Sequence, residues 1–269
     1  MKYKMLVMDM DDTLLRKDHT ISERTKKAIK ETQEKGVKVV LASGRPDFAM
    51  KDYAKELELD KYKSYILSFN GARIIDCHKD EIIFEQSLKK EVAHELYEIS
   101  KKENMFIHTY LSDDIITEQN NEYTEIEANI TGMKIKTITD FKKSIKGNVI
   151  KVLMLEDPTY LKKVSEKLHP KLSDKLNMTI SKPYFLEFMD KGIDKGETLK
   201  KLANKLNINI DEIIAVGDSF NDSTMIKTAG LGVAMGNAHE EIKEIADYIT
   251  DTSMNDGVAK LIEKFILKK

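Results

Sequence analysis

From Lys4 to Phe69 the chain alternates short apolar runs with polar stretches that carry a helical stripe. Lys4–Met8 is a compact apolar run, the profile of a strand buried on both faces of a parallel sheet. A polar loop follows. Ser22 is then placed to cap a helix whose inward stripe is Thr25, Ala28, Ile29 and Thr32, with Gly36 as its stop. Val37–Ala42 reads as a second buried strand, and Pro46 opens a helix with the stripe Met50, Tyr53, Ala54 and Leu57. Tyr65–Phe69 reads as a third strand, ending at Asn70-Gly71. This rhythm predicts an α/β core, a doubly wound and mostly parallel sheet with right-handed crossovers.

The rhythm then changes. Arg73–Asp76 and Glu81–Phe84 form a predicted hairpin. Helices are expected near 89–102, 119–130 and 159–172, and strands over Met105–Tyr110, Val149–Leu155, Met178–Ser181 and Phe185–Met189. Strands that follow one another without a helix between them point to an inserted α+β module. After Gly192 the α/β pattern returns: a helix with stripe Leu199, Leu202, Ala203 and Leu206, strand Ile213–Val216, a helix after Asn221, strand Leu231–Met235 and two closing helices. The expected organisation is a Rossmann-like core over 1–84 and 190–269, interrupted by an α+β domain over 85–189.

Composition narrows the function classes. At 269 residues the chain suits one large domain or two ordinary ones. An apolar fraction of 41% with 33% charged residues is that of a globular protein, not a disordered one. The net charge of −2 and the absence of a long basic block argue against a nucleic-acid groove or a membrane-surface arm. Cys77 is the only cysteine, so neither an intrachain disulfide nor a cysteine metal cluster is available. No apolar stretch reaches the ~20 residues of a membrane helix, and the apolar run before Asp9 is too short for a secretory signal. The expectation is a cytoplasmic protein, a monomer or weak homo-oligomer, acting on small molecules.

Four polar clusters fall just beyond predicted strand ends: Asp9-Met10-Asp11-Asp12-Thr13, Ser43-Gly44-Arg45, Asn70-Gly71, and Gly217-Asp218-Ser219-Phe220-Asn221-Asp222. Open α/β sheets bind ligands outside those ends. Taken singly the clusters are ordinary: a lone Asp-x-Asp is usually a solvated turn, and Asp218–Asp222 could be a helix cap. Together they gather Asp9, Asp11, Asp218 and Asp222, like charges that call for a cation. Oxygen ligands select a hard ion, and Mg²⁺ is the usual one beside phosphate. Asp9 and Asp11 can share a cleft only if the backbone turns between them, one carboxylate then attacking while the other handles protons. Ser43 can donate to a phosphoryl oxygen and Lys195 can add positive charge.

The constellation resembles the haloacid dehalogenase superfamily, and within it the Cof-type phosphatases with a large α/β cap. The resemblance rests on Asp9-Met10-Asp11-Asp12-Thr13-Leu14, Ala42-Ser43-Gly44-Arg45, Gly192-Ile193-Asp194-Lys195-Gly196 and Gly217–Asp222. Ser68–Ala72 and Gly232–Ala238 add to it. It implies Asp9 as nucleophile and Mg²⁺ ligand, and Asp11 as acid/base with its carbonyl on the metal. It further implies Asp218 as a metal ligand, Asp222 as a metal-site residue that either ligates the ion directly or supports its ligands, and Ser43 and Lys195 gripping the phosphoryl group. Arg45, Asn70 and Asn221 become neighbours of phosphate. Asp12 departs from the pattern, since glycine is commoner there.

The implied activity is Mg²⁺-dependent hydrolysis of small phosphorylated metabolites through an aspartyl-phosphate. A phosphomutase on the same scaffold, or a non-enzymatic phospho-receiver module, is the alternative. The inserted module would select the leaving group. Glu187, flanked by apolar residues on its own strand face, is either solvated at a sheet edge or aimed at a polar ligand such as a sugar hydroxyl.

Overall fold

The structure, a computed structural model, describes residues 2–269. It divides into two compact units. One combines the segment ending at Glu85 with Asp194–Lys269; the other is Gln86–Ile193.

In chain order the first unit begins with β1 (Met5–Met8), α1 (Glu23–Glu34), β2 (Lys38–Ala42), α2 (Lys51–Glu56), β3 (Tyr65–Ser68), β4 (Arg73–Asp76) and β5 (Glu81–Glu85). The second unit contributes α3 (Lys90–Lys102), β6 (Phe106–Leu111), β7 (Asp114–Thr117), α4 (Glu122–Thr131), β8 (Lys134–Thr137), α5 (Phe141–Ser144), β9 (Val152–Leu155), α6 (Pro158–Leu172), β10 (Leu176–Lys182) and β11 (Phe185–Asp190). The chain then returns through α7 (Lys195–Leu206), β12 (Ile213–Gly217), α8 (Ser223–Thr228), β13 (Leu231–Ala234), α9 (Glu240–Glu244), β14 (Tyr248–Ile249) and α10 (Gly257–Ile262).

The first unit is built on an eight-stranded sheet in the order β14-β13-β12-β1-β2-β3-β4-β5. The pairs from β14 to β3 are parallel, and the β4–β5 hairpin closes one edge antiparallel. Alternation along β1 explains why the run is apolar throughout. Leu6 and Met8 pack on one face with Ala28 and Ile29 of α1 and Leu261 of α10. Met5 and Val7 pack on the other with Leu199 and Leu202 of α7. From β1 the chain moves outward through β2 and β3, and later through β12, β13 and β14 on the opposite side. The reversal opens a crevice at the C-terminal ends of β1 and β12, the place where such sheets bind ligands.

The expected cap of α1 is present: Ser22 accepts from the Thr25 amide, and Gly36 takes φ +83.

The second unit has a six-stranded sheet in the order β10-β11-β9-β6-β7-β8, antiparallel except for β7–β8. Ala93 and Leu96 of α3 and Leu161 and Val164 of α6 cover the face presented by Ile107, Val152, Met154, Leu186 and Phe188. Three local differences from the sequence reading are informative. The expected strand Val149–Leu155 is shortened to β9, because Val149 instead bridges to Leu88. Strand β8 and the short α5 were not anticipated. In β8 only Ile135 is even partly buried, so an edge strand formed by Lys134, Lys136 and Thr137 carries no apolar alternation to read. Glu187 sits neither at an edge nor in solvent: β11 lies between β10 and β9, with Glu187 opposite Thr179 and Leu153.

Candidate active site

Four segments of the first unit converge at the crevice. Asp9 immediately follows β1, and its amide donates to the carbonyl of Val216 at 3.0 Å, which ties the strand end to β12. The backbone then turns as the Asp-x-Asp spacing requires. Asp11 is extended (φ −68, ψ 129) and Asp12 is left-handed (φ 57, ψ 7). A left-handed residue at this point explains why glycine suits the position, and aspartate is among the residues that tolerate it.

Beyond β12, Asp222 organises the loop. Its Oδ2 accepts from the amides of Asp218 and Ser219, both at 3.0 Å. Gly217 is required by this packing: a Cβ there would lie 2.5 Å from atoms of the Asp222 side chain. Lys195 enters as the first residue of α7, whose N-cap Asp194 accepts from the Glu197 amide.

The centre of the site is a buried lysine shared by two carboxylates. Lys195 Nζ donates to Asp9 Oδ1 and to Asp222 Oδ1, each at 2.6 Å. Lys195 and Asp222 are 0% exposed and Asp9 6%. One oxygen each of Asp9, Asp218 and Asp222 lies within 4.8 Å of the others. Thr13 Oγ1 donates to Asp218 Oδ1 at 3.0 Å. Three carboxylates therefore face one ammonium.

The electrostatic result is strain in charge. Burial, followed by repulsion from Asp222, raises Asp9 well above the ordinary carboxylate range despite Lys195. Burial and Asp222 likewise push Asp218 up to about 6. Burial alone would lower Lys195, but Asp222 and Asp9 outweigh it and hold the ammonium charged. An all-oxygen set with surplus negative charge fits a hard divalent cation.

The remaining expected residues have defined partners. Ser43 is buried beyond β2, its Oγ accepting from the Arg45 amide at 3.1 Å. Asn70, left-handed at φ 55, accepts at Oδ1 from Asn221 Nδ2 at 2.9 Å. Arg45 pairs with the carboxylate of Asp11, through Nε at 2.8 Å and Nη2 at 2.6 Å. In the second unit, Glu187 Oε1 accepts from Ser181 Oγ at 2.6 Å and lies 3.1 Å from Lys151 Nζ.

The sequence motifs contain Thr13 and Asn237 but assign neither a role. Thr13 was visible inside the first acidic cluster as the hydroxyl able to reach across to Asp218. Asn237 braces the turn, donating from Nδ2 to the carbonyl of Asp12 at 2.8 Å and accepting from the Ser253 amide. Its place after β13 was the available signal, since that strand ends beside β12.

Comparison with known proteins identifies the family. The family model of the haloacid dehalogenase-like hydrolases matches residues 6–262. The 5-amino-6-(5-phospho-D-ribitylamino)uracil phosphatase YcsE of Bacillus subtilis (strain 168) is 34% identical over 264 residues, covering 98% of this chain and 96% of that protein. A haloacid dehalogenase-like hydrolase from Bacteroides thetaiotaomicron superposes with a TM-score of 0.93 at 40% identity, covering 98% of this chain and all of the other. The subclass IIB sugar phosphatase BT4131 superposes with a TM-score of 0.81 at 25% identity, covering 97% and 98% of the two chains. Among the described residues no helix is long and apolar enough to cross a membrane. The chain belongs to the haloacid dehalogenase-like hydrolases, as a Cof-type phosphatase that hydrolyses phosphoric monoesters.

Proposed function

We propose that the chain is a Mg²⁺-dependent phosphatase for phosphorylated sugars or polyols, working through an aspartyl-phosphate on Asp9. The observation that carries the reading is the buried set of Asp9, Lys195 and Asp222, with the half-buried Asp218 beside it, at the sheet's switch point. Lys195 holds Oδ1 of Asp9, which aims Oδ2 at an incoming phosphorus. In the first step Asp9 Oδ2 forms a bond to phosphorus, the ester P–O bond breaks, and Asp11 gives its proton to the departing alkoxide. In the second, Asp11 takes a proton from water, the water oxygen bonds to phosphorus, and the Asp9 carboxylate is released with inorganic phosphate. Ser43 and Lys195 donate to the phosphoryl oxygens.

Asp9 and Asp218 supply oxygens for the cation, with the Asp11 carbonyl as a further ligand. Asp222 holds both Lys195 and the Asp218 turn, since its two oxygens are already engaged. When bound, the cation neutralises charge on the transferred group. Asn70 and Asn221 form a polar rim beside the phosphate. Selection of the leaving group is assigned to the second unit. Similarity to a ribitylamino-uracil phosphatase and to a sugar phosphatase supports a hydroxyl-rich leaving group.

The test is a panel of sugar, polyol and aromatic phosphates assayed for free phosphate. Chelation should stop release and Mg²⁺ restore it. Ca²⁺ should inhibit, because its looser coordination spoils in-line attack. Asp9→Asn should reduce turnover to background with the fold retained, since an amide does not attack phosphorus. Substantial release by purified Asp9→Asn, or full activity in chelator, would refute the reading. Phosphate returned to the sugar and not to water would assign a mutase instead.

A further inference from the structure

Arg45 is two residues beyond Ser43, close enough in sequence to pass for another phosphate-gripping group. The structure gives it a different partner. Its fork is closed on Asp11, Nε to Oδ2 at 2.8 Å and Nη2 to Oδ1 at 2.6 Å. The Arg45 side chain is 13% exposed while that of Asp11 is 46% exposed. A well-packed cation therefore holds a half-exposed carboxylate.

Arg45 is itself backed on two sides. Its guanidinium carbon lies 5.7 Å from the ring centroid of Tyr53, on α2. Tyr53 Oη donates to the carbonyl of His19 at 3.2 Å. The His19 ring returns to the pair, with Nδ1 3.4 Å from Arg45 Nη2 and 3.8 Å from Asp11 Oδ1. His19 is also left-handed, at φ 60, so the loop is folded to bring its ring here. A two-point Arg–carboxylate fork fixes the plane of the carboxylate as well as its distance. To grip a phosphoryl group by the same edge, Arg45 would have to abandon Asp11.

We propose that Arg45, braced by Tyr53 and His19, is a positioning residue that aims the Asp11 carboxyl at the leaving-group oxygen and does not grip phosphate. The proposal rests on the acid/base reading of Asp11. Misaiming a proton donor by about an ångström costs roughly 10²-fold. The loss falls on esters whose alkoxide needs a proton and largely spares nitrophenyl esters, which leave without one.

The experiment compares glycerol phosphate and 4-nitrophenyl phosphate, with Mg²⁺, in the full-length enzyme. Arg45→Ala should lower kcat on the alkyl ester by ~10–100-fold and on the nitrophenyl ester by much less. Arg45→Lys should behave like Arg45→Ala, because an ammonium keeps the charge but not the fork. Inhibition by inorganic phosphate should be unchanged. In an Asp11→Asn background, Arg45→Ala should cost nothing further. Tyr53→Leu, which removes the backing ring, should show the same leaving-group bias more weakly, and serves if Arg45→Ala does not fold. Equal losses on both esters in Arg45→Ala, or weakened phosphate inhibition, would overturn the assignment while Asp11→Asn keeps its bias. If Asp11→Asn itself loses both esters equally, the acid role of Asp11 falls and the positioning role with it.

Discussion

Lys195 of the first unit and Lys151 of the second are both buried lysines bonded to carboxylates, yet their surroundings are built on opposite principles. Around Lys195 negative charge is in surplus: Asp9 and Asp222 share its ammonium, with Asp218 beside them. Around Lys151 charge is close to balanced. Glu187 pairs with it at 3.1 Å, and the Tyr110 ring centroid lies 5.4 Å from its Nζ. Tyr110 Oη donates to Glu127, whose carboxyl burial pushes up toward the neutral form. Burial, then repulsion from Lys151, lowers His108 to about 3, so its imidazole stays neutral. The second cluster pairs its charges among its own side chains, while the first leaves carboxylates in excess of its one ammonium, the excess that the proposed function assigns to a cation. Surplus charge that protein groups leave uncompensated is the sign of chemistry; compensated charge is the sign of architecture.

The most damaging way to break this contrast is to remove each lysine. Lys151→Met strands Glu187 in the interior and should cost ~3–5 kcal/mol of stability, read by urea unfolding of the whole chain. Activity of the folded fraction on 4-nitrophenyl phosphate should stay within a few-fold. Replacing both partners, Lys151→Met with Glu187→Leu, should recover most of the loss, since a buried pair is often no better than a well-packed apolar one. Lys195→Met should instead abolish turnover on every ester, and no second substitution at Asp222 should restore it. If the paired replacement in the second unit removed activity toward sugar phosphates alone, Glu187 would be a substrate-binding group and the architectural reading would fail.

The contrast also shows what could be read before the fold was known. The acids of the first cluster were legible because they sit at strand ends, and strand ends are marked by apolar runs that stop at Asp9, Ser43 and Gly217; Lys195, at the start of α7, has no such marker. The sheet came with them, since strands buried on both faces leave an uninterrupted apolar signature. Glu187 was visible as an anomaly on an apolar face, but not its partner. Lys151 lies just before β9, where a bridge replaces the regular ladder, so alternation does not carry through it. The fork between Arg45 and Asp11 was hidden for a related reason. It joins the turn after β1 to the loop after β2, a pairing that no periodicity encodes. Strand β8 was invisible because its edge position demands no apolar residues.

A gentler probe uses pH. Asp9 and Asp218 have raised pKa values in the folded chain, so the native state binds more protons than the unfolded one. For Asp218 the window runs from the ordinary value of 3.8 to about 6. Stability of the metal-free protein should therefore fall as pH rises through that window. A divalent cation should offset the loss, and only where the carboxylates are ionised. The rise in Tm on adding Mg²⁺ should thus be larger at pH 7.5 than at pH 5. Asp218→Asn should flatten the metal-free pH dependence and shrink the Mg²⁺ effect. The cluster in the second unit has no surplus of carboxylates and predicts no Mg²⁺ response of its own, so an unchanged Mg²⁺ response in Asp218→Asn would mean the ion binds elsewhere.

The smallest expected effect comes from Asp12, which adds one exposed carboxylate to a site already in surplus. Its charge contributes to raising Asp218, and its carbonyl is fixed by Asn237. Asp12→Gly keeps the left-handed turn, because glycine adopts φ 57 without steric cost, and it keeps the carbonyl that Asn237 holds. What changes is charge alone. Removing one exposed charge shifts nearby binding by a small factor, ~2–5-fold, and the sign depends on the ligand. The Mg²⁺ concentration for half-maximal activation should rise by that factor, since the cation loses an attractive neighbour. KM for the phosphate ester should fall by a similar factor, since the dianion loses a repulsive one. Both shifts should shrink at high ionic strength, where exposed charges are screened. If Mg²⁺ activation and KM moved in the same direction, Asp12 would be acting through the backbone turn and not through the surplus charge.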